Sequence, residues 1–227
     1  MIAIVDYGMG NLRSVQKALQ RVGGDAKIID QPGQLPEAEK IVLPGVGAFK
    51  DAIARVRDHG LAEPILAAVN DGTPLLGICL GFQMFFDVSY EDGEHTGLGI
   101  FPGKVRRFDF SDQPQADRLR VPQMGWNQIR WDRECPLLGD IPQGSYVYFA
   151  HSFYADPSDE AVILTRTDYG RDYCSSVWKD NVFGTQFHPE KSQSIGLQIL
   201  SNFVKLWILA LEGSLFAHGY LPRDRSS

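Results

Sequence analysis

One cysteine stands between two glycines, at the point where an apolar run gives way to a helical pattern: Leu76-Gly77-Ile78-Cys79-Leu80-Gly81. Gly77-x-Cys79-x-Gly81 in that setting is the arrangement of a nucleophile elbow, a sharp strand-to-helix turn that lifts a reactive side chain to the tip of a strand. A Cβ on either flank would crowd the turn and the helix behind it. A helix opening at Leu80 aims backbone N–H groups and its positive end at the sulfur, and both favour thiolate. The Leu80 N–H is also placed to donate to an oxyanion on an attacked carbonyl. Free cysteine is among the most buried residue types, so an inert core role is the ordinary alternative. It suits Cys135, before a proline in a polar loop, and Cys174, at a strand start.

A cysteine nucleophile needs a base, and the base needs a group to orient it. Of the five histidines, His59, His95 and His218 sit in charged, Gly-rich or unpatterned segments and read as solvated surface. His188 closes the run Val182-Phe183-Gly184-Thr185-Gln186-Phe187 and precedes Pro189-Glu190. The proline holds His188 extended, and in an extended segment residues two apart project to the same side. Glu190 is thus expected to accept from one ring nitrogen while the other faces the thiol. His151, in Ala150-His151-Ser152-Phe153-Tyr154, competes for the role of base but has no carboxylate nearby, so it and Ser152 are assigned to a substrate pocket. Pro44-Gly45-Val46-Gly47 follows a strand, and its glycines let the backbone approach a ligand, so an amide of this loop is a candidate second oxyanion donor. No Cys-x-x-Cys or His-x-x-x-His spacing offers a zinc site, and Gly8 and Gly10 lack the third glycine and the acidic partner of a dinucleotide fingerprint. Neither a metal nor another cofactor is expected.

The elements that must position these groups are legible as an alternation. Ile2 to Val5, Ala26 to Ile29, Lys40 to Leu43 and Pro74 to Ile78 read as strands. Leu12, Val15, Leu19 and Val22 recur at helical spacing until Gly23-Gly24 stops them, and 48–57, 61–70 and 80–86 read as helices. Such alternation implies right-handed crossovers and a largely parallel sheet covered on both faces. From residue 97 to 190 short runs rich in Val, Phe, Tyr and Trp, such as Lys104 to Phe108, Tyr146 to Phe149 and Val162 to Leu164, imply antiparallel or mixed strands continuing the same domain. Residues 109–118 are the polar, loop-like segment. Ile195, Ile199, Phe203, Trp207 and Leu211 give a closing helix with an apolar stripe, and 213–227 has no organised pattern.

Composition narrows the field. The 227 residues suffice for one sizeable α/β domain. Net charge is −6 with Lys and Arg scattered, which excludes the clustered positive face that nucleic acid or an anionic membrane demands. No apolar run approaches the ~20 residues that span a bilayer. Met1-Ile2-Ala3-Ile4-Val5-Asp6 reads as a buried strand rather than a signal peptide. Three cysteines do not make a disulfide framework. A cytoplasmic protein is expected.

Together these segments resemble the class I (triad) glutamine amidotransferases and, more narrowly, the glutaminase subunits of imidazole glycerol phosphate synthase, over about residues 1–210. Class-wide marks are Gly-Ile-Cys79-Leu-Gly-Phe-Gln83 and Gln-Phe-His188-Pro-Glu190. Closer marks are Asp6-Tyr7-Gly8-Met9-Gly10-Asn11-Leu12, Pro44-Gly45-Val46-Gly47, Met124-Gly125-Trp126-Asn127, His151-Ser152 and Lys191-Ser192. Gln123 stands where that family often has His, and Phe153 replaces a more usual Tyr. The resemblance implies an α/β, flavodoxin-like three-layer fold with a central mixed, mostly parallel sheet, an amidotransferase domain over 1–212 and a tail over 213–227. It implies Cys79, His188 and Glu190 as a triad, an oxyanion hole from Leu80 with Val46 and Gly47, and a glutamine site formed by Gly45, Gln83, His151, Ser152 and Phe153. It further implies a heterodimer with a (β/α)₈ cyclase subunit, HisF, which receives the ammonia, with Asn11, Trp126, Tyr148 and Lys191 on the shared face. Ammonia released into neutral water is mostly ammonium, which is not nucleophilic, so sealed delivery and low activity without the partner are expected. A glutaminase serving another synthase, a γ-glutamyl peptidase and a non-catalytic interaction module are the rivals; the last would lack a triad member.

Overall fold

The structure, a computed structural model, describes residues 1–111, 113 and 119–211, with side chains through residue 206. The first half of the chain alternates as expected: β1 (Ile2–Val5), α1 (Leu12–Arg21), β2 (Ala26–Ile29), β3 (Lys40–Gly45), α2 (Phe49–Asp58), α3 (Ala62–Asn70) and β4 (Leu75–Cys79). Next come α4 (Leu80–Gln83), β5 (Phe86–Ser89), β6 (His95–Thr96), β7 (Phe101–Arg107) and β8 (Gln123–Gln128). The chain then runs through β9 (Tyr146–His151), β10 (Phe153–Pro157), β11 (Ile163–Asp168), β12 (Asp172–Lys179), β13 (Val182–Thr185) and the long α5 (Gln193–Leu211). The expected tail, 213–227, lies outside the described residues, as does most of the polar segment after Ser111.

One sheet organises the molecule, in the order β2-β1-β3-β4-β13-β12-β10-β7-β5-β6, with β11 added on β12. Its first five strands are all parallel, β12 then runs antiparallel to β13, and the order 2-1-3-4 is that of a doubly wound fold. The remainder is mainly antiparallel. Strand periodicity divides the core. Ile2, Ile4, Val42, Leu76 and Ile78 face one side, where Val15 and Leu19 of α1 and Ile199 and Phe203 of α5 cover them. Ala3, Val5, Ile41, Leu43 and Leu75 face the other, against Phe49, Ile53 and Val56 of α2 and Ile65 of α3. Alternate side chains pointing to opposite faces, each buried under helices, give the three layers.

One local expectation fails, and one pair of expected strands lies off the main sheet. The helix read over 80–86 is a single turn of four residues, and Phe86 already opens β5. Its aromatic residues are buried for sheet packing, with Phe82, Phe85, Phe86 and Phe101 in edge-on and tilted contact, and an apolar run alone does not distinguish such a strand from a helix. A two-stranded antiparallel ribbon, β8 with β9, stands apart from the main sheet and pairs Gln123 with His151 and Trp126 with Tyr148. Its inward side buries Gln123, Val147, Phe149 and His151; its outward side shows Met124, Trp126, Tyr146 and Tyr148.

Candidate active site

Doubly wound sheets bind ligands beyond the carboxyl ends of their strands, and here the ends of β3 and β4 and the segment after β13 meet at one cavity of about 300 Å³. Cys79 closes β4 with φ 54° and ψ −108°, a conformation most side chains avoid. Strain at a single non-glycine residue persists only where its surroundings over-determine it, and they do. A Cβ at Gly81 would lie 1.8 Å from the Leu43 carbonyl oxygen, and one at Gly77 would lie 2.5 Å from the Phe85 ring. Both glycines are therefore required for α4 to lie against β3 and β4. Because α4 is one turn long, the dipole expected to favour thiolate contributes little. The charge opposite Cys79 is a histidine.

His188 is buried, with its side chain and that of Glu190 nearly inaccessible, and Nδ1 lies 2.9 Å from Glu190 Oε1. Burial disfavours the imidazolium, but the charge of Cys79 and its hydrogen bond, then the Glu190 carboxylate, outweigh it and push His188 up to about 10. The pairing forms, though not along an extended chain: Pro189–Lys191 is a 3-10 turn, and that turn swings Glu190 behind the ring. The His188 backbone is fixed as well. Its N–H donates to the Tyr148 carbonyl (2.9 Å), and its carbonyl accepts from the Ser192 hydroxyl (2.7 Å), which in turn accepts from the Tyr148 N–H (3.0 Å).

Cys79, Leu80, Val46, Gly47, Gln83, His151, Ser152, Phe153, His188 and Lys191, all singled out from the sequence, line the cavity. Gly45 does not. It ends β3 directly opposite Cys79 and lies behind the wall, where the Tyr7 hydroxyl donates to the neighbouring Pro44 carbonyl at 2.8 Å and holds the loop. His151 is buried and neutral, pushed down to about 3 chiefly by burial, which removes it as a rival base. Its Nδ1 lies 2.7 Å from the Phe153 carbonyl oxygen. Gln83 is buried and donates to that same oxygen at 2.9 Å and to Gln186 Oε1 at 3.0 Å, while Gln186 Nε2 reaches Cys79 Sγ at 3.6 Å. Cys135 and Cys174 are buried and pushed up to about 12 by burial, as their inert reading requires.

Trp126 and Tyr148 meet edge to face with centroids 6.1 Å apart, and the Lys191 ammonium lies 5.9 Å from the Tyr148 ring. With Val46, Met124 and Trp126 at 38%, 68% and 45% exposure, this forms an apolar, cation-edged patch around the cavity mouth. Asn11, exposed at the start of α1, is not in contact with the cavity. The sequence reading missed Gln186 and Glu91. Gln186 lies two residues before His188, a spacing that could have been used. Glu91 also lines the cavity and accepts from the Phe49 N–H at the start of α2 (2.7 Å); burial holds it above the usual carboxylate range against that bond. No spacing ties residue 91 to Cys79. Among the described residues no helix is long and apolar enough to cross a membrane.

Residues 3–207 match the family described as glutamine amidotransferase class-I. The chain is 53% identical over 203 residues to the imidazole glycerol phosphate synthase subunit HisH of Syntrophotalea carbinolica, covering 89% of this chain and 98% of that one. To the HisH subunit of Geobacter metallireducens it is 51% identical over 202 residues, 89% and 96% of the two chains. One chain in the structure of PurLQS from Thermotoga maritima superposes with a TM-score of 0.68 at 21% identity, covering 93% of this chain and 98% of that one. That likeness shows the fold.

Proposed function

The chain belongs to the class I glutamine amidotransferases and, within them, to the HisH subunits of imidazole glycerol phosphate synthase, and from that premise we propose how its residues divide the work. The overall activity is the hydrolysis of glutamine to glutamate and ammonia, as a glutaminase subunit in histidine biosynthesis. The observation that carries the residue roles is a strained, buried Cys79 facing a buried His188–Glu190 pair across one small cavity.

Cys79 Sγ, as thiolate, attacks the γ-carbonyl carbon of glutamine. The carbonyl electron pair moves to oxygen, and amides of Leu80 and of the Val46–Gly47 loop receive that charge. Collapse of the tetrahedral species breaks the C–N bond while the His188 imidazolium gives its proton to the departing nitrogen, leaving ammonia and a γ-glutamyl thioester. Neutral His188 then takes a proton from water, whose oxygen attacks the thioester. Glutamate leaves, and the thiolate–imidazolium pair is restored. Glu190 keeps Nδ1 protonated and the ring oriented. Gln83, with the Ser152–Phe153 backbone, holds the substrate amide and carboxylate end, and the Glu91 carboxylate suits an α-ammonium. Residues 1–212 act as one amidotransferase domain.

The ammonia passes to a cyclase subunit, HisF, docked over the cavity mouth on Asn11, Trp126, Tyr148 and Lys191. There it enters the synthesis of imidazole glycerol phosphate and an aminoimidazole carboxamide ribotide. Exposed aromatic and apolar groups around a catalytic mouth support a docked partner. A nucleophile that must remain a free thiol suits the reducing cytoplasm.

A glutaminase assay with and without the cyclase and its nucleotide, on wild type and Cys79→Ala, tests both parts. Wild type should be slow by itself and strongly activated in the complex, with Cys79→Ala at background throughout. Unchanged activity in Cys79→Ala removes the nucleophile; equal wild-type rates with and without the cyclase remove the partnership.

A further inference from the structure

Behind the pocket wall, on the inward side of the β8–β9 ribbon, a buried polar row runs from Gln123 through Tyr173 to His151. The Tyr173 hydroxyl lies 2.8 Å from Gln123 Oε1 and 3.2 Å from His151 Nε2. Gln123 Nε2 is buried with no partner. The protons in this row can be counted. The Phe153 carbonyl oxygen only accepts, so the 2.7 Å contact places a proton on His151 Nδ1. His151 is neutral, so Nε2 is bare and must accept. The one acceptable donor is the Tyr173 hydroxyl, whose single proton is then spent on His151. Gln123 must therefore present a donor to Tyr173, not an acceptor. A half-turn of its side-chain amide exchanges N and O, whose positions are nearly equivalent in shape. That turn gives the Tyr173 oxygen an N–H and removes the unpartnered amide nitrogen.

We propose that Gln123 and Tyr173 are positioning residues for the glutamine pocket: the Gln123 amide N–H donates to Tyr173, the Tyr173 O–H donates to His151 Nε2, and His151 is thereby fixed as the Nδ1–H tautomer that pins the Phe153 carbonyl. That carbonyl is half of the cradle of Gln83, the other half being Gln186, which reaches Cys79. The inference rests on the proposed role of Gln83 toward glutamine. The row acts on substrate seating and touches neither the nucleophile nor the base, so it governs KM more than kcat. Four aromatic rings hold Tyr173 independently of its hydroxyl: Phe108, Phe149, His151 and Tyr154. Loss of the hydroxyl therefore leaves the packing in place.

Two measurements on the intact complex decide the matter, one of them independent of activity. Imidazole nitrogen NMR on ring-labelled wild type should show one neutral histidine protonated on Nδ1 from pH 5 to about pH 8, its Nε2 resonance shifting in Tyr173→Phe. A protonated Nε2 at His151 overturns the proposal whatever the activity. In steady-state kinetics Tyr173→Phe and Gln123→Leu should raise KM for glutamine roughly tenfold, the loss expected for one buried hydrogen bond, with kcat changed much less. Gln123→His, whose ring N–H can still donate to Tyr173, should restore wild-type KM. An unchanged KM in folded Tyr173→Phe, or Gln123→His behaving as Gln123→Leu, overturns it. If wild type and Cys79→Ala hydrolyse glutamine equally, the failure belongs to the proposed active site, while the NMR result still judges the row.

Discussion

His188 carries opposing influences within a few ångströms, and the balance sets its chemistry. Burial alone would favour a neutral ring; Cys79 and Glu190 reverse that and hold it protonated up to about 10. Because its folded value is raised, its own contribution to stability is fully present below the unfolded value of about 6.5 and is lost as pH rises through about 10. Histidine NMR should accordingly show His188 charged through neutral pH, with a transition only in the alkaline range; a midpoint near 6.5 would contradict the ion pair. Glu190→Gln removes the carboxylate charge while leaving an acceptor, so it should bring that transition down and lower kcat by about 10²- to 10⁴-fold with a smaller change in KM. At this scale the sequence was informative where spacing is short. Cys79 with its glycines, and His188 with Glu190, lie within a few residues of one another. Glu91 was invisible because its place at the cavity comes from a bond across 42 positions to Phe49. Gly45 is packed against Tyr7, Leu80 and Gly81, a reason for glycine that a chain of letters does not distinguish from close approach to a ligand.

The elements that deliver these residues differ in how far local pattern determines them. The alternation through β4 was legible because its strands and helices carry distinct periods and firm stops. α4 was overread because Phe82, Phe85 and Phe86 are apolar for packing reasons that a short run cannot reveal. The β8–β9 ribbon was readable as strands but not as a separate element, since its partner choice is non-local. Its inward anchor leads to a prediction. His151 is held neutral and pushed down to about 3 by burial. A lowered histidine contributes stability that is present above the unfolded value of about 6.5 and is lost as pH falls from there towards about 3. Urea unfolding at pH 7 and pH 5 should therefore show a loss of up to about 1.4 kcal/mol per pH unit from this group. His151→Gln, which keeps a polar contact but cannot charge, should flatten the acid slope even if it lowers stability at pH 7. An identical slope in the variant would show that other groups account for the acid sensitivity.

Across the whole molecule, the patch at the cavity mouth and His188 lie on separate segments that backbone hydrogen bonds tie together. Trp126 packs on Tyr148, Lys191 stands over the same ring, and the Tyr148 carbonyl and N–H bind the His188 N–H and Ser192 hydroxyl. A partner that presses on Trp126 and Tyr148 therefore acts on the strand to which the His188 backbone is hydrogen-bonded, without any long chain of intermediates. Two variants separate docking from transmission. Trp126→Ala removes a large aromatic anchor from the exposed face, and should weaken binding of the cyclase by about 2 kcal/mol, some thirtyfold, while the unpartnered protein keeps its basal rate. Ser192→Ala leaves the outer face untouched, but deprives the partly buried Tyr148 N–H of its acceptor and the His188 carbonyl of its donor. It should bind the cyclase with near wild-type affinity, measured by calorimetry, yet lose most of the activation proposed for wild type when both are compared in the glutaminase assay. If Ser192→Ala is activated as fully as wild type, the link between face and base is not the route by which the partner acts. The Val46–Gly47 loop, which reaches the same mouth from the opposite side of Cys79, is then the next route to test.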